Sequence, residues 1–347
     1  MTPPDPVGTF EDHGGDLDRA GEQFGDPPDG WLDLSTGINP RAYPLPDLTR
    51  DAWQRLPMAS ALNALKVAAA DAFDATSKDF IACAPGTQAL IQILPRAMGV
   101  GRVAVLGPTY SEHATAWQAA DAEVEETRDL PAPDRSAVLV NPNNPDGRVV
   151  PPEDLISWAR SAAPAGHWLI IDEAFAEVVP EASVVPAMPL ENVIILRSFG
   201  KFHGLAGLRL GFAVTAPETV RRLEREMGPW AVSGPALEVG AAALADRVWV
   251  SSERRRLAGD MTRLRRLLED AGAQIIGGTD LFVLVEHAGA AGLYDHLART
   301  GILVRRFAGN PHWLRFGLPD AEADWERLAA ALRVFPTDAA KGAREYG

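Results

Sequence analysis

A chain of 347 residues exceeds the roughly 250–300 residues over which one hydrophobic core keeps growing, so two domains are expected. With 46% hydrophobic and 23% charged residues, the composition excludes a disordered or fibrous protein. A net charge of −14 excludes a broad nucleic-acid-binding face, so anionic ligands must be met by local positive pockets.

Residues 1–44 are rich in Pro and Gly and read as an irregular N-terminal arm lying over another part of the protein. Met1 to His13 is polar and acidic rather than leader-like, and no run approaches the roughly 20 apolar residues of a membrane span. The one cysteine, Cys83, permits no intrachain disulfide. A cytoplasmic protein without membrane, nucleic-acid or metal partners is the expectation.

Residues 45–235 alternate helical stretches with short apolar runs, the order of an α/β domain built on a mostly parallel sheet. Ala61 to Phe73 is predicted as a helix. Val103 to Leu106, Ala137 to Val140, Trp168 to Ile171 and Val193 to Leu196 are predicted strands, nearly continuous in Val, Ile and Leu as strands covered on both faces are. Residues 236–347 read as a smaller α+β domain. It is entered by one long helix, Ala236 to Ala271, with Arg254 to Arg256 and Arg263 to Arg266 on solvated faces. Strands follow at Leu281 to Val285, Ile302 to Arg306 and Trp313 to Phe316.

Each large-domain strand is followed by a polar or special-turn cluster: Gly107-Pro108-Thr109-Tyr110, Asn141-Pro142-Asn143-Asn144-Pro145, Asp172-Glu173-Ala174-Phe175 and Arg197-Ser198-Phe199-Gly200-Lys201. Ligand crevices of open parallel sheets lie outside the carboxyl ends of the strands, so the four clusters should converge. Lys201 beside Asp172 then suits pyridoxal phosphate, which needs a lysine to hold it covalently and a carboxylate to keep its ring nitrogen protonated. Cys83 to Gln88, ahead of an apolar helix, offers backbone amides to the cofactor phosphate, with Ser198 and Arg209 completing the cup.

Ser198 to Gly211 resembles the lysine segment of class I and II aminotransferases, and Asn141 to Gly147 resembles their Asn-Pro loop, in the same order and spacing. The resemblance implies a fold type I pyridoxal-phosphate enzyme and a homodimer. It assigns Tyr110 to stacking on the cofactor ring and Asn144 to its phenolic oxygen. Gly86, Thr87, Ser198 and Arg209 take the phosphate, and Arg315 takes the substrate carboxylate. Two positions depart from many relatives: Phe175 stands where a Tyr is common, and Leu56 replaces a Tyr that reaches the neighbouring subunit.

His13-Gly14-Gly15-Asp16, followed by Thr36-Gly37-Ile38-Asn39-Pro40, resembles the threonine-phosphate decarboxylases of cobalamin biosynthesis. That implies an arm whose His13, Gly14 and Gly37 close on a small phosphorylated amino acid. Asn144 and Arg315 hold it too, while Arg305, with Arg306 as second choice, binds its phosphate. Histidinol-phosphate aminotransferase is the alternative, because it shares the fold, both arginines and a phosphorylated amine substrate.

Overall fold

Seven short strands, most of them buried along their whole length, form the sheet of the unit Ala42–Glu253. They are β1 (Ile81–Ala84), β2 (Arg102–Leu106), β3 (Glu123–Thr127), β4 (Ser136–Val140), β5 (Leu169–Asp172), β6 (Val193–Ser198) and β7 (Gly211–Thr215). The computed structural model describes residues 14–335.

The strand order is β1-β7-β6-β5-β4-β2-β3, and every ladder is parallel except the two made by β7. Side chains alternate between two cores, as the two-residue period of a strand requires. In β5, Leu169 and Ile171 enter the core that holds Leu65, Phe73 and Phe212, whereas Ile170 enters the one that holds Leu90, Leu94 and Trp117. Helices therefore cover both faces, and the fold is the doubly covered, mostly parallel α/β sheet expected from the apolar runs. Glutamates on the edge strand β3, at 123, 125 and 126, blunt its open side against pairing with another sheet.

A second unit combines the described residues up to Arg41 with those from Arg254 onward. Its antiparallel sheet contains β8 (Gln274–Thr279), β9 (Phe282–Glu286), β10 (Arg305–Phe307) and β11 (Asn310–Gly317), in the order β10-β11-β9-β8. Helices Ala290–Arg299 and Glu322–Val334 complete the α+β arrangement.

Local chemistry explains where the elements differ from expectation. The long helix predicted over 236–271 is two helices, Gly234–Ala245 and Arg247–Asp270. Asp246 separates them: its Oδ1 accepts the Trp249 N–H at 2.9 Å, a capping contact that starts the second helix. Inside the irregular arm, Leu17–Phe24 is helical because Asp16 accepts the Arg19 N–H at 3.1 Å. The strand predicted over 302–306 is split, since Ile302–Leu303 pairs in parallel with Leu32–Asp33 of the arm while Arg305 starts β10. Arg255, Arg263 and Arg266 are exposed as expected, whereas Arg256 reaches the buried Asn39 Oδ1 at 2.7 Å.

Just behind the carboxyl edge of the large sheet, Arg197 is buried between two carboxylates. It donates to Glu173 Oε2 at 2.8 Å, lies 3.0 Å from Glu177 Oε1 and sits 4.6 Å from the Phe73 ring centroid. Burial pushes the Glu173 carboxyl up from its ordinary value, against the pull of Arg197, Ser183 and the Val184 amide. Arg197→Met would leave two buried carboxylates without their cation. The expected loss is about 3–5 kcal/mol of unfolding free energy, read as a lowered urea midpoint.

Candidate active site

Parallel neighbours β2, β4, β5 and β6 end on the same edge of the large sheet, and hydrogen bonds between their exit loops fix those loops to one another. The Thr109 hydroxyl donates to Asn143 Oδ1 at 2.7 Å, and Asn143 Nδ2 returns a bond to the Pro108 carbonyl at 3.0 Å. The Asn141 N–H donates to the Asp172 carbonyl at 2.8 Å, and the Glu173 N–H to the Leu196 carbonyl at 2.8 Å. The strand-end clusters that carry Tyr110, Asn144, Asp172 and Lys201 are thus set side by side.

Asp172 is buried at the end of β5, where Oδ1 accepts the Ala174 N–H at 3.0 Å and Oδ2 lies 3.0 Å from Nε2 of buried His113. A carboxylate only accepts, so the imidazole tautomer that donates from Nε2 is the one that suits this contact. Sequence reasoning missed His113. It lies on helix Glu112–Ala119, three residues after Tyr110, and the ring of Tyr110 meets it edge-on with centroids 6.1 Å apart.

The phosphate cup is built by close approach. Gly86 caps helix Thr87–Met98 at φ 87°, where a Cβ would come within 2.6 Å of Arg209 Nη2. No side chain caps that helix, so its first amides and the Arg209 guanidinium share one small space. Arg209, itself left-handed at φ 53°, donates from Nη1 to the Ala206 carbonyl at 3.0 Å. Ser198 is in register with Gly211, and a Cβ on Gly211 would lie 2.5 Å from the Thr87 nitrogen.

Lys201 sits on the short helix Phe199–Phe202, its Nζ 6.0 Å from the centroid of the Phe175 ring. His203, two residues on, is stacked on Phe199 at 4.3 Å and on Trp249 at 5.6 Å, which holds the turn that carries the lysine.

The second unit carries the predicted substrate arginines. Arg305 and Arg315 stand directly opposite each other on β10 and β11, and Arg315 is buried. Arg315 Nη2 donates to the Ser35 carbonyl at 2.8 Å. Its pKa is pushed down to about 9, first by burial and then by Arg305, with Asp33 opposing. Arg306 lays its guanidinium 4.8 Å from the Tyr294 ring centroid.

Ser35 also receives the arm: the Gly15 N–H donates to its Oγ at 2.7 Å, and that hydroxyl donates to Asp33 at 2.5 Å. A Cβ on Gly14 would come within 2.3 Å of the Ser35 carbonyl oxygen, so the backbone can lie there only as glycine. Gly37 is buried in the turn that follows, and His13 lies outside the described residues.

Pyridoxal phosphate is the group that the large-domain cluster fits. The uncapped helix and Arg209 suit its phosphate, the Asp172–His113 pair its ring nitrogen and Lys201 its aldehyde. On a doubly covered, mostly parallel sheet this is the arrangement of fold type I pyridoxal-phosphate enzymes. The chain belongs to the class I and II aminotransferases, whose family model matches residues 46–333. It is 43% identical over 329 residues to a threonine-phosphate decarboxylase from Pseudomonas aeruginosa, covering 93% of this chain and 98% of that one. A threonine-phosphate decarboxylase from a Sinorhizobium species is 44% identical over 328 residues, covering 92% and 97%. Among solved structures, the histidinol-phosphate aminotransferase of Sinorhizobium meliloti in complex with pyridoxal-5'-phosphate superposes with a TM-score of 0.75 at 22% identity, over 92% of this chain and 95% of that one.

His113→Ala should remove the donor to Asp172 and weaken the cofactor's hold roughly 10- to 100-fold, the worth of a charge-assisted hydrogen bond. Absorbance titration of the apoprotein with pyridoxal phosphate measures this. Gly86→Ala, which forces a methyl against Arg209, should show a comparable loss in the same titration.

Proposed function

We propose that this enzyme decarboxylates L-threonine O-3-phosphate to (R)-1-amino-2-propanol O-2-phosphate and carbon dioxide, a step in the assembly of cobalamin. The observation that carries the reading is the pair Arg305 and Arg315, two cations face to face on adjacent strands and calling for a substrate with two anionic groups. Near full-length relatedness to threonine-phosphate decarboxylases supports it.

The bound cofactor supplies an electron sink for the bond that breaks at Cα. Within that scheme Lys201 would hold the cofactor through its amine and, once the substrate amine is bound, would deliver a proton to Cα. Asp172, positioned by its 3.0 Å contact with His113, would hold the proton on the cofactor's ring nitrogen. Tyr110 would stack on the ring, Asn144 would serve its phenolic oxygen and the substrate, and Gly86, Thr87, Ser198 and Arg209 would bind its phosphate. Phe175 has no hydroxyl to share the work of Asn144.

Arg315 would take the substrate carboxylate and so orient the substrate's bonds at Cα. Arg305 takes the substrate phosphate, with His13, Gly14 and Gly37 closing from the arm. The working form is a homodimer in the cytoplasm, a reading supported by the exposed apolar side chains Trp53, Leu56, Met58 and Trp230 of the large unit and by the buried thiol of Cys83.

Threonine phosphate given alone should release carbon dioxide. A wild-type enzyme that releases none, yet transaminates histidinol phosphate with 2-oxoglutarate, overturns the assignment. Arg315→Ala and Arg305→Ala should each lower kcat/KM about 30- to 1000-fold, equivalent to roughly 2–4 kcal/mol, while cofactor absorbance is retained. Arg315→Ala should also raise the share of abortive transamination. Lys201→Ala should lose the adduct that borohydride fixes in the wild type, detected by mass spectrometry.

A further inference from the structure

The tyrosine ring proposed to cover the cofactor is held at its hydroxyl end by a chain of side chains. The Tyr110 hydroxyl donates to Gln88 Oε1 at 3.2 Å, and Gln88 Nε2 in turn donates to Glu112 Oε2. Gln92, one turn further along the helix that carries Gln88, directs its own Nε2 to the same oxygen at 3.5 Å. All four residues belong to the unit Ala42–Glu253, and Tyr110, Gln88 and Glu112 are half-buried. A carboxylate accepts and does not donate, so Glu112 decides which end of the Gln88 amide turns toward it. The amide nitrogen faces Glu112 and the amide oxygen faces the tyrosine, the one orientation in which both contacts are hydrogen bonds.

Two helices meet in this link. Gln88 lies in the first turn of Thr87–Met98, the helix whose leading amides share a space with the Arg209 guanidinium, and Glu112 opens Glu112–Ala119. Successive helical residues point about 100° apart, so Glu112 and His113 reach in different directions. Glu112 holds the amide of Gln88, while His113 lies 3.0 Å from Asp172. The Tyr110 ring is thereby met twice, edge-on by His113 and at its hydroxyl by Gln88. A tyrosine turns about two side-chain torsions, and contacts at the ring and at the hydroxyl together restrain both.

We propose that Gln88 is a positioning residue for the cofactor. Oriented by Glu112, it fixes the face that the Tyr110 ring presents and ties that face to the helix turn assigned to the cofactor phosphate. The link to the cofactor rests on the stacking role given to Tyr110 above, whereas the hydrogen-bonded chain rests on its own distances.

Pyridoxal phosphate is achiral, so its visible circular dichroism in the holoenzyme reports how firmly its surroundings hold it in one orientation. Gln88→Leu should diminish that signal and weaken cofactor binding roughly 3- to 10-fold in an absorbance titration, the worth of one neutral hydrogen bond. The same substitution in a Tyr110→Phe background should change neither, because the hydroxyl that Gln88 serves is gone. Glu112→Leu should repeat the effect of Gln88→Leu. Glu112→Gln, which still offers an oxygen to the Gln88 amide nitrogen, should restore most of the signal. Gln88→Met keeps the length of the side chain and takes the same measurements should Gln88→Leu fail to fold. Unchanged signal and affinity in Gln88→Leu, an equal loss with and without the Tyr110 hydroxyl, or a Glu112→Gln protein no better than Glu112→Leu would overturn the proposal. Tyr110→Ala separates the two readings. If it lowers signal and affinity while the Gln88 variants lower neither, the stacking role stands and positioning by Gln88 is wrong. If Tyr110→Ala leaves both unchanged, the stacking role is wrong and positioning by Gln88 falls with it.

Discussion

A parallel sheet buried on both faces leaves polar chemistry one outlet, the edge where the strands end. Every strand interior in such a sheet must be apolar, and each exit loop must satisfy its own backbone groups. Here β2, β4, β5 and β6 meet both demands at once, because Asn141, Asn143 and the amide of Glu173 bind neighbouring exits together. The same hydrogen bonds that close this edge of the sheet therefore also hold in place the residues proposed to bind the cofactor. Asp172 is the extreme case, a buried carboxylate whose two oxygens are met by His113 and the Ala174 amide.

An acidic protein that captures anions has to concentrate its positive charge. The overall charge of −14 gives no general attraction for a phosphorylated substrate, and the proposed roles of Arg209, Arg305 and Arg315 place that attraction locally instead. The cost is visible at Arg315, where burial and a like-charged neighbour both work against the cation. Such a group is stable in its place because Asp33 and the Ser35 carbonyl offset part of that penalty.

Much of this was legible in the chain because the informative residues are consecutive. Ser198 to Arg209 and Asn141 to Gly147 carry their chemistry in unbroken runs, and the apolar strands that precede them have a composition few other elements share. His113 was not legible, since its meaning comes from a contact with a residue 59 positions away and its own neighbours look like any surface helix. The arm helix was hidden by the Pro and Gly around it, and the break at Asp246 by the helix formers on either side. In both places one short side chain that bonds the backbone decides the outcome, a signal smaller than the composition of its surroundings.

Ser35 is used twice, once through its hydroxyl and once through its peptide carbonyl, and the two uses are exposed to evolution differently. Mutation can alter the hydroxyl that receives Gly15, but no replacement at this position removes the carbonyl that receives Arg315. Drift at residue 35 can therefore loosen the arm's attachment while leaving the arginine's acceptor in place. Selection in this lineage can tune how the arm is held without first passing through a form that has lost that main-chain anchor for Arg315.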